Sequence, residues 1–87
     1  KVTNHDLRRS RLLWRSRRGV RELDGLLMPF VKSRYDFLNS KELSVLEKFL
    51  EISDPLLIDW FMEKSVPPTE EYKALVLSIL AFRSASM

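Results

Sequence analysis

The sequence has no cysteine, only two glycines among its 87 residues, and a single histidine, His5. Without cysteine, neither a disulfide nor a thiolate site can form, and one histidine cannot build a metal centre alone. No apolar run approaches the roughly 18 residues of a membrane span, and no glycine-rich phosphate loop is present. The sequence therefore predicts no catalytic, metal or cofactor site and no membrane insertion.

Charge is distributed unevenly along the chain. Residues 1–21 carry eight Lys/Arg against one acidic residue, whereas residues 22–87 carry seven Lys/Arg against eleven Asp/Glu. Arginine suits planar, bidentate recognition of carboxylates or phosphates. The basic segment could therefore grip nucleic-acid phosphates, form a solvated face or dock on an acidic protein surface. Its arginines, here called the arginine arm, are Arg8, Arg9, Arg11, Arg15, Arg17, Arg18 and Arg21.

Apolar residues repeat at helical spacing, and no segment shows the alternation typical of a strand. A chain of this length forms at most one domain. We therefore predict an all-α fold, a compact five-helix bundle in a single small domain over residues 1–87, with an ordered core over about residues 4–83. The predicted helices span about residues 4–16, 20–34, 39–51, 54 to before 67, and 69–83.

Several residues indicate where these helices begin or bend. Thr3 or Asn4 can cap the first helix, and Asn39 with the glutamate three positions on suits a capping box. Asp54 precedes a proline and is predicted to cap the fourth helix. Pro29 lies inside the second helix, where a kink or a break is expected.

The aromatic residues are predicted to lie mainly in the core. Leu7 and Trp14 are seven residues apart on one face of the first helix, and for Trp14 we favour a core position over a base-stacking role. Tyr35 and Phe37 form a connector that is expected to pack on the core. Four later aromatics are placed at or near the core: Phe49, Trp60, Phe61 and Tyr72.

Arg18-Gly19-x-x-Glu22 allows two interpretations. In the first it is a turn between two helices, with glycine at the bend and Glu22 favourably placed near a helix N-terminus. In the second it is a binding surface, because a bare glycine lets a partner backbone approach between an arginine donor and a glutamate acceptor. Both interpretations can hold at once.

The same residues resemble a known family. The run Arg18-Gly19-Val20-Arg21-Glu22-Leu23-Asp24 resembles the Arg-Gly-x-x-Glu signature of the succinate dehydrogenase flavinylation factors, which are small bacterial FAD assembly factors with mitochondrial relatives. The similarity spans roughly Leu7 to Leu80. Further matching elements are Trp14, Met28-Pro29-Phe30, Tyr35 and Asp54-Pro55-x-Leu57-x-x-Trp60.

This resemblance implies a chaperone-like assembly factor rather than an enzyme. Such factors bind the flavoprotein subunit of succinate dehydrogenase, and in bacteria also that of fumarate reductase. They promote a largely autocatalytic attachment of FAD to a histidine of that subunit. The signature residues face the partner in the family, which implies partner binding here by Arg18, Gly19 and Glu22, with Val20, Arg21 and Asp24 as flanking candidates.

The resemblance also implies that no cofactor is held tightly by this chain, which would act on the FAD of its partner. It implies a cytoplasmic location in a bacterium, or the mitochondrial matrix for a eukaryotic relative. Nucleic acid is not an expected partner under this interpretation. The alternative, based on the arginine arm, is a small basic helical protein that binds nucleic acid or acts as an antitoxin. A flavin-transferring enzyme is a third, more remote hypothesis.

Overall fold

Five α-helices make up the fold in a computed structural model, which describes the backbone of residues 4–86 and the side chains of residues 7–85. The described range contains no strand, so the predicted all-α five-helix fold is confirmed. The radius of gyration is 12.5 Å, close to the roughly 12 Å of a compact domain of this length. The elements are α1 (Asn4–Ser16), α2 (Arg21–Arg34), a 3-10 turn (Tyr35–Phe37), α3 (Ser40–Phe49), α4 (Asp54–Phe61) and α5 (Glu70–Ser86).

Helix α2 is the central element, because it contacts α1, α4 and α5. Its apolar residues recur at three and four positions and so form one buried stripe. Pro29 lies on the exposed side, and α2 continues through it, so no break occurs there. The buried residues of α2 are Leu23, Leu26, Leu27, Phe30 and Val31.

An aromatic cluster joins α3, α4 and α5. The ring of Phe49 is fully buried, and its centroid lies 6.0 Å from Trp60, 6.1 Å from Phe61 and 5.7 Å from Tyr72. Tilted and edge-on arrangements at such distances are favourable between aromatic rings. The predicted core placement of these four aromatics is confirmed.

The connector after α2 places its two aromatics differently. Tyr35 is buried, with 1% of its surface exposed, whereas Phe37 is 74% exposed. The guanidinium carbon of Arg34 lies 5.4 Å from the centroid of the Phe37 ring, a distance at which a cation is attracted to an aromatic face. The core prediction is therefore right for Tyr35 and wrong for Phe37.

Helix α1 packs on the bundle through a narrow stripe. Leu12 is fully buried and Leu13 is partly buried against the core, whereas Leu7 is 51% and Trp14 is 74% exposed. The core position predicted for Trp14 is therefore wrong. The predicted capping of α1 by Thr3 or Asn4 lies outside the side chains that the structure describes.

Side-chain bonds account for the start of α3 but not for the start of α4. Asn39 and Glu42 form the predicted capping box, with bonds of 2.8 and 2.9 Å between side chain and backbone. Asp54 is the first residue of α4, and Ser53 occupies the cap position without a side-chain bond, so the predicted cap at Asp54 is wrong. Helix α5 continues to Ser86, past its predicted end at Arg83.

Helix α4 ends in a Schellman motif. The Glu63 N–H donates to the Trp60 carbonyl at 3.3 Å, and the Lys64 N–H donates to the Asp59 carbonyl at 2.8 Å. This arrangement requires a left-handed residue after the helix, a position that glycine usually occupies. Here Glu63 adopts it, with φ +60°. The helix therefore ends at Phe61, several residues before residue 67, the limit predicted for it.

We predict that Glu63→Gly stabilises the protein. Glycine adopts positive φ without steric cost, so the free energy of unfolding should rise by about 1 kcal/mol. Urea denaturation measures this change. Lys64→Gly is the matched control. Lys64 is exposed and follows Glu63, but its φ is not positive, so this substitution should not raise the free energy of unfolding. Equal effects from the two variants would contradict this account of Glu63.

Candidate functional site

Residues 17–20 connect α1 to α2 and are called the corner below. Gly19 is exposed and has φ +79°, in the left-handed region that favours glycine. A Cβ placed on Gly19 would meet no atom within 4 Å, so this side of the backbone is open. The predicted glycine bend between two helices is confirmed.

The Arg18 side chain ties the corner to the α3–α4 loop. Its Nε donates to Asp54 Oδ1 at 2.7 Å, and Nη2 donates to the Ile52 carbonyl at 2.5 Å. Nη1 donates to the carbonyls of Leu50 and Arg15. Only 15% of the Arg18 side chain is exposed. The guanidinium is therefore largely hydrogen-bonded to groups of the chain itself, although the resemblance implies that Arg18 faces a partner.

Asp24 and Val20 hold the corner from the side of α2. Asp24 Oδ1 accepts a hydrogen bond of 2.7 Å from the Arg18 backbone N–H, and the Asp24 N–H donates to the Val20 carbonyl at 2.8 Å. The Val20 side chain packs against the core. These two flanking candidates thus help to shape the corner, and both are partly buried.

Arg21 and Glu22 are exposed in the first turn of α2. Neither makes a side-chain hydrogen bond or ion pair with the described residues, so both charges are available to a partner. Glu22 also lies where a negative charge suits the helix dipole. The two residues line the edge of a groove of about 730 Å³ that also includes Gly25, Ile58, Met62, Lys64 and Arg83.

Trp14 is in the last turn of α1, three residues before the corner begins. It lines an open groove together with Arg17, Arg18 and residues between the end of α3 and the start of α4. Sequence reasoning missed this residue because its spacing from Leu7 suggested an apolar face. The signal that could have identified it is its helical neighbourhood: the residues three positions away on either side are Arg11 and Arg17, which indicates a solvent-facing side.

Only part of the arginine arm is free. Arg8 forms a bidentate pair with Glu47, at 3.1 Å from Nε to Oε2 and 2.9 Å from Nη2 to Oε1. Arg15 Nη1 lies 3.9 Å from Glu51 Oε2. These pairs connect α1 to α3 and the segment that follows it. Three arginines are exposed and without a side-chain partner among residues 7–85: Arg11, Arg17 and Arg21.

The described residues show no metal-binding arrangement, since no group of three His, Cys, Asp or Glu side chains within that range could hold an ion. No helix in the same range is long and apolar enough to cross a membrane. What the corner offers is instead a set of exposed groups suited to contact with a protein: an open backbone, an unpaired carboxylate and unpaired guanidinium groups.

Comparison with known proteins identifies consistent relatives. A family profile described as flavinator of succinate dehydrogenase matches residues 10–83. The FAD assembly factor SdhE of Pseudomonas aeruginosa is 40% identical over 70 residues, which cover 80% of this chain and 83% of that protein. SdhE of Colwellia psychrerythraea is 43% identical over 72 residues, covering 83% and 79%. SdhE of Pectobacterium atrosepticum is 38% identical over 68 residues, covering 78% and 77%.

We predict that Arg18→Ala destabilises the fold. Removing the guanidinium leaves the Asp54 carboxylate and two loop carbonyls without their donor, which should lower the free energy of unfolding by about 2 to 4 kcal/mol. Urea denaturation tests this. Arg17→Ala, at the exposed neighbour, should change it by less than about 0.5 kcal/mol. If the two variants were equally stable, Arg18 would not be a structural residue.

Proposed function

The chain belongs to the family described as flavinator of succinate dehydrogenase, and on this basis we propose that it binds the flavoprotein subunit of succinate dehydrogenase and promotes covalent attachment of FAD to a histidine of that subunit. The resemblance inferred from Arg18–Asp24 is confirmed by the match over residues 10–83. This match is the observation that carries the proposal, because it includes the corner and all its flanking residues.

In this proposal the chain acts as a helper, and the chemistry takes place in the partner. The bound flavin becomes electrophilic, and the partner's histidine adds to it in a largely autocatalytic reaction. The chain contributes by holding the partner in an arrangement that aligns histidine and flavin. Alignment of this kind accelerates a reaction by proximity, and selective binding of one domain arrangement raises its population.

The geometry divides the proposed partner-binding residues into two groups. Gly19, Arg21 and Glu22 are exposed and make the contacts, with Gly19 leaving room for a partner backbone. Arg18 and Asp24 hold the corner in shape through bonds to each other and to the α3–α4 loop. Val20, which packs on the core, acts with this second group.

The remaining parts of the proposal follow the resemblance. The chain also serves the flavoprotein subunit of fumarate reductase, holds no FAD tightly itself and acts in the cytoplasm of a bacterium. A nucleic-acid function is less favoured, because two arginines that would be needed for phosphates are occupied. Arg8 pairs with Glu47 and Arg18 pairs with Asp54.

The decisive experiment measures flavin fluorescence of the denatured flavoprotein subunit in a gel, where covalent FAD remains and free FAD is lost. In bacterial cells that lack their own assembly factor, the signal should be low and should return when this chain is expressed. Gly19→Arg should fail to restore it, because a bulky cation blocks the open side of the corner. An unchanged signal in cells without any factor would contradict the proposed function.

Gly19→Ala is the matched control for this variant. At φ +79° either side chain strains the backbone by about 1 to 2 kcal/mol, so the two variants should lose similar stability. Only arginine adds bulk and charge, so Gly19→Ala should retain most of the signal. Equal loss in both variants would mean that backbone strain, rather than access to the corner, causes the defect.

Glu22→Gln tests the exposed carboxylate. The change keeps the shape of the side chain and removes its charge, so we expect flavinylation to fall by tenfold or more, as for an interface hot spot worth about 1.4 kcal/mol or more. Stability should fall by less than about 1 kcal/mol, the size of a helix-dipole interaction. Glu71→Gln, an exposed glutamate in the first turn of α5, should match the stability change without the functional loss. Equal activity of both variants would remove Glu22 from the binding surface.

A further inference from the structure

We propose that Trp14 is the apolar anchor of the partner-binding surface, and that it inserts into an apolar pocket of the flavoprotein subunit whose rim carries carboxylates. This inference rests on the proposed function. It adds a contact residue to the corner and states the chemistry of the partner surface that meets it.

The first observation is the exposure of the Trp14 ring. Trp14 is 74% exposed, whereas the chain's other tryptophan, Trp60, is 5% exposed within the aromatic cluster. Among the described residues, no ring pair or cation–π contact involves Trp14. A large apolar side chain left in water gains free energy when a partner covers it, and tryptophan and arginine are enriched among residues that dominate protein interfaces.

The second observation is that the backbone beneath the ring is fixed. The Trp14 carbonyl accepts a hydrogen bond of 3.2 Å from the Arg17 N–H, which closes the end of α1. The neighbouring groove includes the Arg18–Asp54 ion pair, so the corner is tied down on its inner side. With the backbone held, only two side-chain torsions need ordering when Trp14 is bound, which keeps the entropy cost small.

The third observation is the charge around the ring. Arg11 lies one helical turn before Trp14, and Arg17 is the first residue of the corner, three positions after it. Both are exposed and without a side-chain partner in the described part of the chain. An apolar centre with unpaired guanidinium groups at its edge matches an apolar pocket bordered by carboxylates. A nucleic-acid strand would also attract the arginines, but the proposed partner is a protein.

Phe37 provides a control of equal exposure. It is also 74% exposed, but it lies in the turn after α2, and the Arg34 guanidinium covers one face of its ring. Exposure of an aromatic residue alone therefore does not distinguish the two sites. What distinguishes Trp14 is its place beside the corner among unpaired arginines.

The test is the affinity of purified chain variants for the purified flavoprotein subunit. Trp14→Ala should weaken binding at least about tenfold, as for an interface hot spot, and Trp14→Phe should retain part of the affinity. Phe37→Ala should bind within about twofold of wild type, as expected for a residue outside the interface. All three should melt within about 4 °C of wild type, because exposed positions contribute little to stability.

The acidic rim proposed for the partner's pocket is tested with two charge-reversal variants of this chain that change its net charge equally. Arg17→Glu should weaken binding at least about threefold more than Lys41→Glu, an exposed residue of α3, because only Arg17 would face the partner's carboxylates. Equal effects would overturn the acidic rim. Binding of duplex DNA by wild type but not by Trp14→Ala, without binding of the flavoprotein, would assign the surface to nucleic acid and overturn the proposal.

The failures of the two proposals can be told apart. If wild type binds the flavoprotein and Trp14→Ala binds equally well, the inference is wrong and the proposed function stands. If Trp14→Ala loses as much stability as Arg18→Ala, Trp14 is a structural residue and the inference is also wrong. If wild type neither binds the flavoprotein nor restores flavinylation, the proposed function fails and the inference fails with it.

Discussion

The Arg18 guanidinium is the group on which the arrangement of the corner depends. It donates hydrogen bonds to the Asp54 carboxylate and to two carbonyls of the α3–α4 loop. Without these bonds the loop carbonyls would need water or another donor. Asp54 is the first residue of α4 rather than its cap, and its carboxylate pairs with a guanidinium 36 residues away along the chain. Two loops that are distant in sequence are thereby fixed to one another.

Structural roles and proposed binding roles coexist within the Arg18–Asp24 motif. Its charged residues fall into two groups. Arg18 and Asp24 are partly buried and form hydrogen bonds within the chain, whereas Arg21 and Glu22 are exposed. The arginine arm shows the same division, since Arg8 pairs with Glu47 of α3 while others stay free. A count of charges along the sequence therefore overstates how many are available for binding.

The parts of the fold that local pattern determines could be predicted from the sequence. The helices and the capping box at Asn39 follow from residues within a few positions of one another, and the core placement of Phe49 and its aromatic neighbours follows from the apolar character of each helix. Trp14 was misplaced because its spacing from Leu7 suggested a covered face, although the arginines three positions away on either side, Arg11 and Arg17, indicate a solvent-facing one. The Schellman ending of α4 was not predicted, because Glu63 occupies a position that glycine usually occupies. The hydrogen bonds of the Arg18 side chain reach residues 32 to 36 positions further along the chain, so no local sequence pattern could predict them.

A corner that is already rigid has a consequence for how long a complex persists. A stable interface of standard size takes about 800 Å² from each partner, roughly an eighth of this chain's 6065 Å² surface. A small preorganised surface loses little conformational entropy on association, so moderate affinity is reached without extensive contact. Under the proposed function, moderate affinity lets the complex dissociate once the flavin is attached, so that one copy of the chain can serve many flavoprotein subunits in succession.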